Sequence, residues 1–380
     1  MKKILVINTK YRKFGGEDAN IIEELNFLST YYKVEYLEFD NSSKINFFDF
    51  LSFFTLSNLK SNLNLKKSIN KFKPDLVYIH NLWFKGSLGI LKILELKNIK
   101  YLLKIHNFRT SCSMSFFINK HINKNDFCHA CNLNKKKFQI FNKYFKNSYI
   151  KSFYLIRFSK KFMKLVKKYQ SKLFVLNNFQ KIYLEKYGIN KDNMTIFYNP
   201  IQNTSHKKNN YTPDSSYILY AGNISREKGV DKLIESWESL NLPNLNLVLV
   251  GDMSNLNPKN FNFKNSQYIG RLDHYKVLEL IKGARAVVTA TRLYEGQPRL
   301  LCEASTYGVP SIFPKFGGMR EFFPQEYELS FIQYDYNDLK NTLMKVSDTN
   351  LLIKASNEVL KFSKKNYSYE SQKNIFKKSF

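Results

Sequence analysis

Two glutamates, Glu295 and Glu303, lie in the stretch YEGQPRLLCEASTYGVP, Tyr294 to Pro310. Glu295 falls just before a predicted helix N-terminus, and Glu303 falls two turns inside the helix. The free N–H groups of such a terminus bind an anion, for example a diphosphate. A carboxylate on each side of that anion site can accept hydrogen bonds from hydroxyls, as on sugars. The spacing also fits a plainer reading, an acidic flank plus a polar helix position, since helix N-termini favour carboxylates anyway. The elements that must hold the pair are legible around it. Ala286 to Ala290 is an apolar run that reads as a buried strand. Glu295 and Gly296 make a turn, and Pro298 suits the first helical turn, where its missing N–H costs nothing. Arg299 to Tyr307 suit a helix, with Gly308 as its C-cap and Pro310 as its stop. Ser311 to Phe313 read as the next strand.

Two other turns carry chemistry of the same kind. Tyr217 to Ala221 is a strand candidate followed by GNISREKGVDKLIESW, a turn with Arg226 and Lys228 that leads into an amphipathic helix. By itself this is a surface turn with two cations. Near the start, Lys3 to Asn8 is a strand candidate, then come Gly15 and Gly16, then a helical stretch from Asp18. Strand, glycine turn and helix make a phosphate-facing unit, although a lone Gly-Gly also fits a plain loop. Further strand candidates at Val34–Phe39, Leu76–His80 and Tyr101–Ile105 alternate with helical stretches. That alternation predicts a parallel sheet with helices on both faces, an α/β fold. KPDLVYIHNLW and LLKIHNFR both end a strand in His-Asn, placing His80 and His106 at the carboxyl edge, where open parallel sheets bind ligands. A structural hydrogen bond is the other use of a histidine there.

At 380 residues and 43% hydrophobic content the chain fits two domains, each with a core. No run approaches the ~18 apolar residues of a membrane helix. The N-terminus MKKILVINTK has only Ile4 to Ile7 as its apolar part, shorter than a secretion signal needs. The expected location is therefore cytoplasmic. Asn199 to Ser216 is polar with two prolines and reads as a linker. The expected domains are 1–200, a linker 201–216, 217–366, and a last helix 367–380, which resembles a segment that crosses back to the first domain.

Sixty Lys+Arg against 31 Asp+Glu give a net charge of +29. That implies an anionic partner, a nucleic acid, a membrane surface or phosphates, or else a plain lysine and asparagine bias. Residues 135–172 are basic and aromatic, with Phe138, Phe141, Phe145, Tyr149, Ser152 and Ile156 at helical spacing. The pattern suits peripheral contact with an anionic membrane surface, or a domain helix with solvated lysines. Four cysteines make no disulfide framework. Cys112, Cys128 and Cys131, with His121 and His129 nearby, resemble half of a zinc site. Three cysteines fall short of the four ligands of a closed site, so no metal is expected. A structural zinc with one of those histidines is the alternative.

Together these stretches resemble the retaining glycosyltransferases of family 4, among the glycosyl transferases group 1. Glu295 to Glu303 match the Glu-x7-Glu signature, with EG at its start and EAS near its end. YRKFGGEDANIIEEL, GNISREKGVDKLIESW, YIGRLD (Tyr268 to Asp273) and FGGMREF resemble further family segments in the same order. The resemblance implies the GT-B fold, two Rossmann-like parallel-sheet domains facing across a cleft. It implies that Lys228, Glu295 and His106 work at the transferred sugar and diphosphate. Gly15 and Gly16 would face the diphosphate, and Arg271 and Leu272 the base. Gly296, Gln297, Arg299, Leu300 and Leu301 would offer backbone N–H groups, and Glu303 would hold the ribose. Where the family carries an arginine this chain has Asn223, so Arg226 is expected to serve instead. The donor would be a UDP- or GDP-sugar, and the acceptor a saccharide or lipid-linked saccharide in surface polysaccharide assembly (O-antigen, capsule or lipopolysaccharide). No cofactor is implied, and the absence of any Asp-x-Asp agrees with a metal-independent reaction. The competing readings are a sugar-nucleotide epimerase of the same fold and a basic nucleic-acid-binding protein. Neither the Glu-x7-Glu with EKG nor the lack of a recognition motif favours them.

Overall fold

Ile4 to Ile7 are fully buried, because both faces of the strand they lie on are covered. The computed structural model describes residues 1–11, 15–108, 148–202, 211–253, 256, 261 and 263–379. These fall into two units. The first holds the described residues of 1–108 and 148–202 together with 372–379, and the second those of 211–371.

The first unit is one six-stranded sheet. Its strands are β1 (Lys3–Lys10), β2 (Lys33–Asp40), β3 (Leu76–Ile79), β4 (Tyr101–Lys104), β5 (Lys172–Val175) and β6 (Met194–Ile196). They lie in the order β2-β1-β3-β4-β5-β6, all parallel. The helices that cross between them are α1 (Gly16–Tyr31), α2 (Phe47–Thr55), α3 (Leu59–Phe72), α4 (Gly89–Leu96), α5 (Tyr149–Lys168) and α6 (Asn178–Lys186). α5 is the described part of the basic aromatic segment. From Tyr154 onward its apolar face, with Phe158, Phe162 and Val166, is in the core, while Lys160, Lys164 and Lys168 are exposed. Phe376, near the chain's end, is fully buried against Phe27, Tyr78, Phe174 and Phe197 at ring distances of 5.4–6.3 Å.

The second unit is also one parallel six-stranded sheet. Its strands are β7 (Tyr217–Ala221), β8 (Asn246–Val250), β9 (Ser266–Gly270), β10 (Ala286–Val288), β11 (Ser311–Pro314) and β12 (Ser330–Phe331). The order is β12-β11-β10-β7-β8-β9. Its helices are α7 (Val230–Glu238), α8 (His274–Gly283), α9 (Arg299–Thr306), α10 (Tyr336–Met344) and α11 (Thr349–Asn366). A further helix, α12 (Tyr369–Lys377), carries Phe376. Counted from its own first strand, the second sheet runs 6-5-4-1-2-3. Its order therefore reverses between β7 and β10, and the helices leaving these two strands depart to opposite faces. The carboxyl ends of such a pair leave a crevice.

The predicted doubly wound α/β architecture is the observed one. Local limits differ slightly. Pro298 is the N-cap of α9, in extended conformation, and the helix ends at Thr306 with Gly308 following at φ +71°.

Candidate active site

The second unit's crevice is built from two turns that meet edge to edge. One leads from β7 to α7 and carries Arg226 and Lys228. The other leads from β10 to α9 and carries Glu295. Gly229 is the contact point. It has φ +66°, and a Cβ there would lie 1.9 Å from the carbonyl oxygen of Ala290. Only glycine allows both the left-handed conformation and that approach. Arg292 then laces the turns together. Its backbone N–H donates to the Glu227 carbonyl at 3.1 Å, and its guanidinium donates to the Arg226 carbonyl at 3.1 Å and to Asp231 at 3.3 Å.

This lacing brings Lys228 to Glu295, with Nζ 2.5 Å from Oε1. The Thr291 hydroxyl donates to the same oxygen at 2.8 Å. The pair is half-buried, so solvent weakens it but does not dissolve it. α9 starts just beyond. Its first-turn N–H groups, on Arg299, Leu300 and Leu301, have no intrahelical acceptor. Glu303 is buried one turn further on, and its Oε1 accepts from Arg299 Nε at 2.6 Å and meets His274 Nε2 at 2.8 Å. Asp273 caps α8 through the Lys276 N–H at 2.9 Å, so His274 stands at the start of a fixed helix. Arg271 and Leu272 lie on the loop just before it, and Arg271 is exposed. Gly296 and Gln297 are buried at the turn, and Arg226 and Asn223 are exposed.

In the first unit, β3 and β4 deliver His80 and His106 side by side. Their Nδ1 and Nε2 atoms are 2.7 Å apart and their rings are stacked. Burial holds both imidazoles well below their usual range, and the nearby Lys104 charge adds to it. Both are therefore neutral near pH 7. The His80 Nε2 and His106 Nδ1 atoms are buried without a hydrogen-bond partner. Beneath them Lys104 pairs with Glu24 at 2.5 Å, and Tyr78 donates to the other Glu24 oxygen at 2.7 Å. Burial pushes Lys104 down to about 8, against the pull of Glu24.

Glu24, His80 and His106 each offer a ligand atom within 4.8 Å of the others. A cation would sit beside the Lys104 ammonium and would have to separate a pair of imidazoles already hydrogen-bonded to each other. The cluster fits a polar network better than a metal site. The imidazoles line a pocket with Tyr11, Glu17, Trp83 and Asn107. Tyr11 and Asn107 both donate to Glu17, at 3.1 and 2.8 Å, and fix its carboxylate. Gly15, the N-cap of α1, has extended backbone, and a Cβ on Gly15 or Gly16 would meet nothing within 4 Å. The Gly15 N–H donates to the Asp18 carboxylate at 2.9 Å, closing a capping box at this terminus.

Sequence reasoning named Lys228, Glu295, Glu303 and His106 but missed their partners Thr291, His274 and His80's pairing with His106. The one signal available was position: His274 follows YIGRLD directly, and Thr291 follows the β10 run. The Cys112, Cys128 and Cys131 cluster, with His121 and His129, lies outside the described residues.

Residues 201–366 match the family described as glycosyl transferases group 1. No curated protein matches the chain. Solved structures similar to it include Anabaena HepE in complex with UDP and glucose, at 12% identity and a TM-score of 0.66, covering 100% of this chain and 99% of that one. Sucrose-phosphate synthase from Thermosynechococcus elongatus superposes at 14% identity with a TM-score of 0.71, over 100% and 98% of the two chains. The lipopolysaccharide outer core galactosyltransferase WaaB does so at 16% identity with a TM-score of 0.61, over 99% of each. At these identities the likeness establishes the fold, which is GT-B.

Proposed function

Because the second unit belongs to the glycosyl transferases group 1, we propose that this chain transfers a sugar from a nucleoside diphosphate sugar to a saccharide or lipid-linked saccharide. Transfer retains the anomeric configuration and needs no metal on the diphosphate. The observation that carries this reading is the Lys228–Glu295 pair at the switch point of the second sheet, with the start of α9 beside it.

Each side chain has a role that its surroundings support. Lys228 meets the charge that grows on the diphosphate as the glycosidic bond breaks, so its interaction is worth most in the transition state. Glu295 and Thr291 hold the ammonium in place, and Glu295 turns its remaining capacity to sugar hydroxyls. The N-terminal N–H groups of α9 and the exposed Arg226 add positive potential on the same side. Glu303 takes the ribose hydroxyls, its carboxylate preset by Arg299 and His274. The Arg271–Leu272 backbone takes the base. In the first unit, the Gly15–Gly16 turn faces the diphosphate in this reading, and His106, its tautomer coupled to His80, suits a hydroxyl. HepE was crystallised with UDP, which supports UDP-sugars as the first donors to try. WaaB, a lipopolysaccharide enzyme by its description, supports a place in surface polysaccharide assembly, on the cytoplasmic side of the membrane.

The test is transfer of radiolabel from UDP- and GDP-sugars into a saccharide or lipid-extractable product. A labelled product largely lost in a folded Lys228→Ala variant supports the reading. If no sugar nucleotide yields labelled product or free labelled sugar, the reading fails.

A further inference from the structure

α2 is turned inside out for a surface helix. Its buried residues are Asp49 and Ser52, while Phe47, Phe50 and Phe54 are 69%, 58% and 55% exposed. Buried polar and exposed aromatic positions invert the usual partition. The orientation is fixed from below. Asp49 accepts from the Asn58 amide at 2.7 Å and from the Asn46 N–H at 3.0 Å, and it lies 3.4 Å from Lys85 Nζ. Ser52 donates to the Asp49 carbonyl at 2.7 Å. Phe53 stacks on Tyr154 of α5 at 4.8 Å, and Arg157 donates to the Phe53 and Phe54 carbonyls at 3.1 and 2.5 Å. Rolling the helix to bury its phenylalanines would break the contacts that reach outside it, those of Asp49 with Asn58 and Lys85, of Phe53 with Tyr154, and of Arg157 with the Phe53 and Phe54 carbonyls. The outward face therefore stays apolar, and α3, which follows after only three residues, extends it with exposed Leu59 and Leu63.

An apolar face of this size marks an interaction surface. Charge identifies the partner. Residues 41–73 carry Lys44, Lys60, Lys66, Lys67, Lys71 and Lys73, all exposed, and their one carboxylate, Asp49, is buried. Every exposed charge in this stretch is positive. A second copy of this chain would bring the same cations against them, in a molecule that already carries +29. An anionic bilayer offers the complement to both features. Phospholipid headgroups neutralise the lysines, and the acyl boundary accepts the rings. We infer that α2 and the first turns of α3 dock this chain on an anionic membrane, with Phe47, Phe50 and Phe54 entering the interface. The inference does not depend on the sugar-transfer reading.

The experiment is flotation of the full chain with vesicles of phosphatidylcholine alone, or of phosphatidylcholine mixed equally with phosphatidylglycerol. The parent chain should float with the anionic vesicles only. Phe50→Ser combined with Phe54→Ser should weaken that binding about tenfold, because two half-exposed rings no longer leave water. Both positions face solvent, so the fold should be retained, and thermal melting checks it. A separate Phe50→Trp variant should show a blue shift of its fluorescence on adding anionic vesicles, beyond that of the parent, which shares Trp83 and Trp237. The inference is overturned if the parent does not float, if the folded double variant floats equally well, or if the patch instead drives concentration-dependent dimers that the double variant abolishes.

Discussion

Lys228 and Glu295 are 67 residues apart in sequence and 2.5 Å apart in space. Each was nameable from its local motif, but their contact was not, because it depends on β7 and β10 being neighbours. The same holds for Thr291 and His274, which no motif marks and which matter only through the oxygens they touch. From this geometry Lys228→Ala should lower turnover by ~10²–10³-fold, the scale for one lost electrostatic stabiliser. The donor Michaelis constant should change less. Glu303→Ala should do the reverse, raising the Michaelis constant for the donor, since ribose contacts are present in ground and transition states alike. Steady-state kinetics on folded variants separates the two. Asn223→Arg should leave turnover unchanged or raise it, if the exposed Arg226 stands in incompletely for the family's arginine.

At the scale of elements, the site depends on how closely the turns approach. Gly229→Ala puts a methyl group into the Ala290 carbonyl and strains a left-handed residue. It should cost at least about 1–3 kcal/mol of stability, lower the melting temperature of the second unit, and impair catalysis through the displaced Lys228. The paired strand ends of the first unit give a pH dependence. His80 and His106 have folded-state values depressed by burial, so between those values and the ordinary imidazole range the unfolded chain binds more protons. Stability from this source is fully present above pH ~6.5 and is lost as pH falls below it. The melting temperature should drop on going from pH 7 to pH 5, with a shallower slope in a folded His80→Gln/His106→Gln double variant. The long, apolar strands were legible in sequence because buried parallel strands are continuous hydrophobic runs. Met194–Ile196 and Ser330–Phe331 were not, since three and two residues carry no period.

For the whole molecule, what sequence could show was the alternation of strand and helix, and hence the doubly wound sheets. It could not show the inverted burial of α2. FFDFLSFFT looks like a core helix by composition, and only the contacts of Asp49 reveal which face is inside. Nor does periodicity show that the chain's last residues complete the first unit's core. Phe376→Ala would empty a fully buried site among five aromatic rings. It should destabilise that unit by about 3–5 kcal/mol, seen as earlier denaturant unfolding of the first unit's signal.

The central claim is that the second unit's crevice binds a nucleoside diphosphate through Lys228 and Glu303. Calorimetric titration of UDP and GDP into the parent chain, Lys228→Ala and Glu303→Ala tests it without knowledge of the acceptor. The account predicts that one nucleotide binds the parent at a single site and binds both folded variants more weakly. Equal binding to all three proteins, or binding of neither nucleotide to the parent, would contradict it.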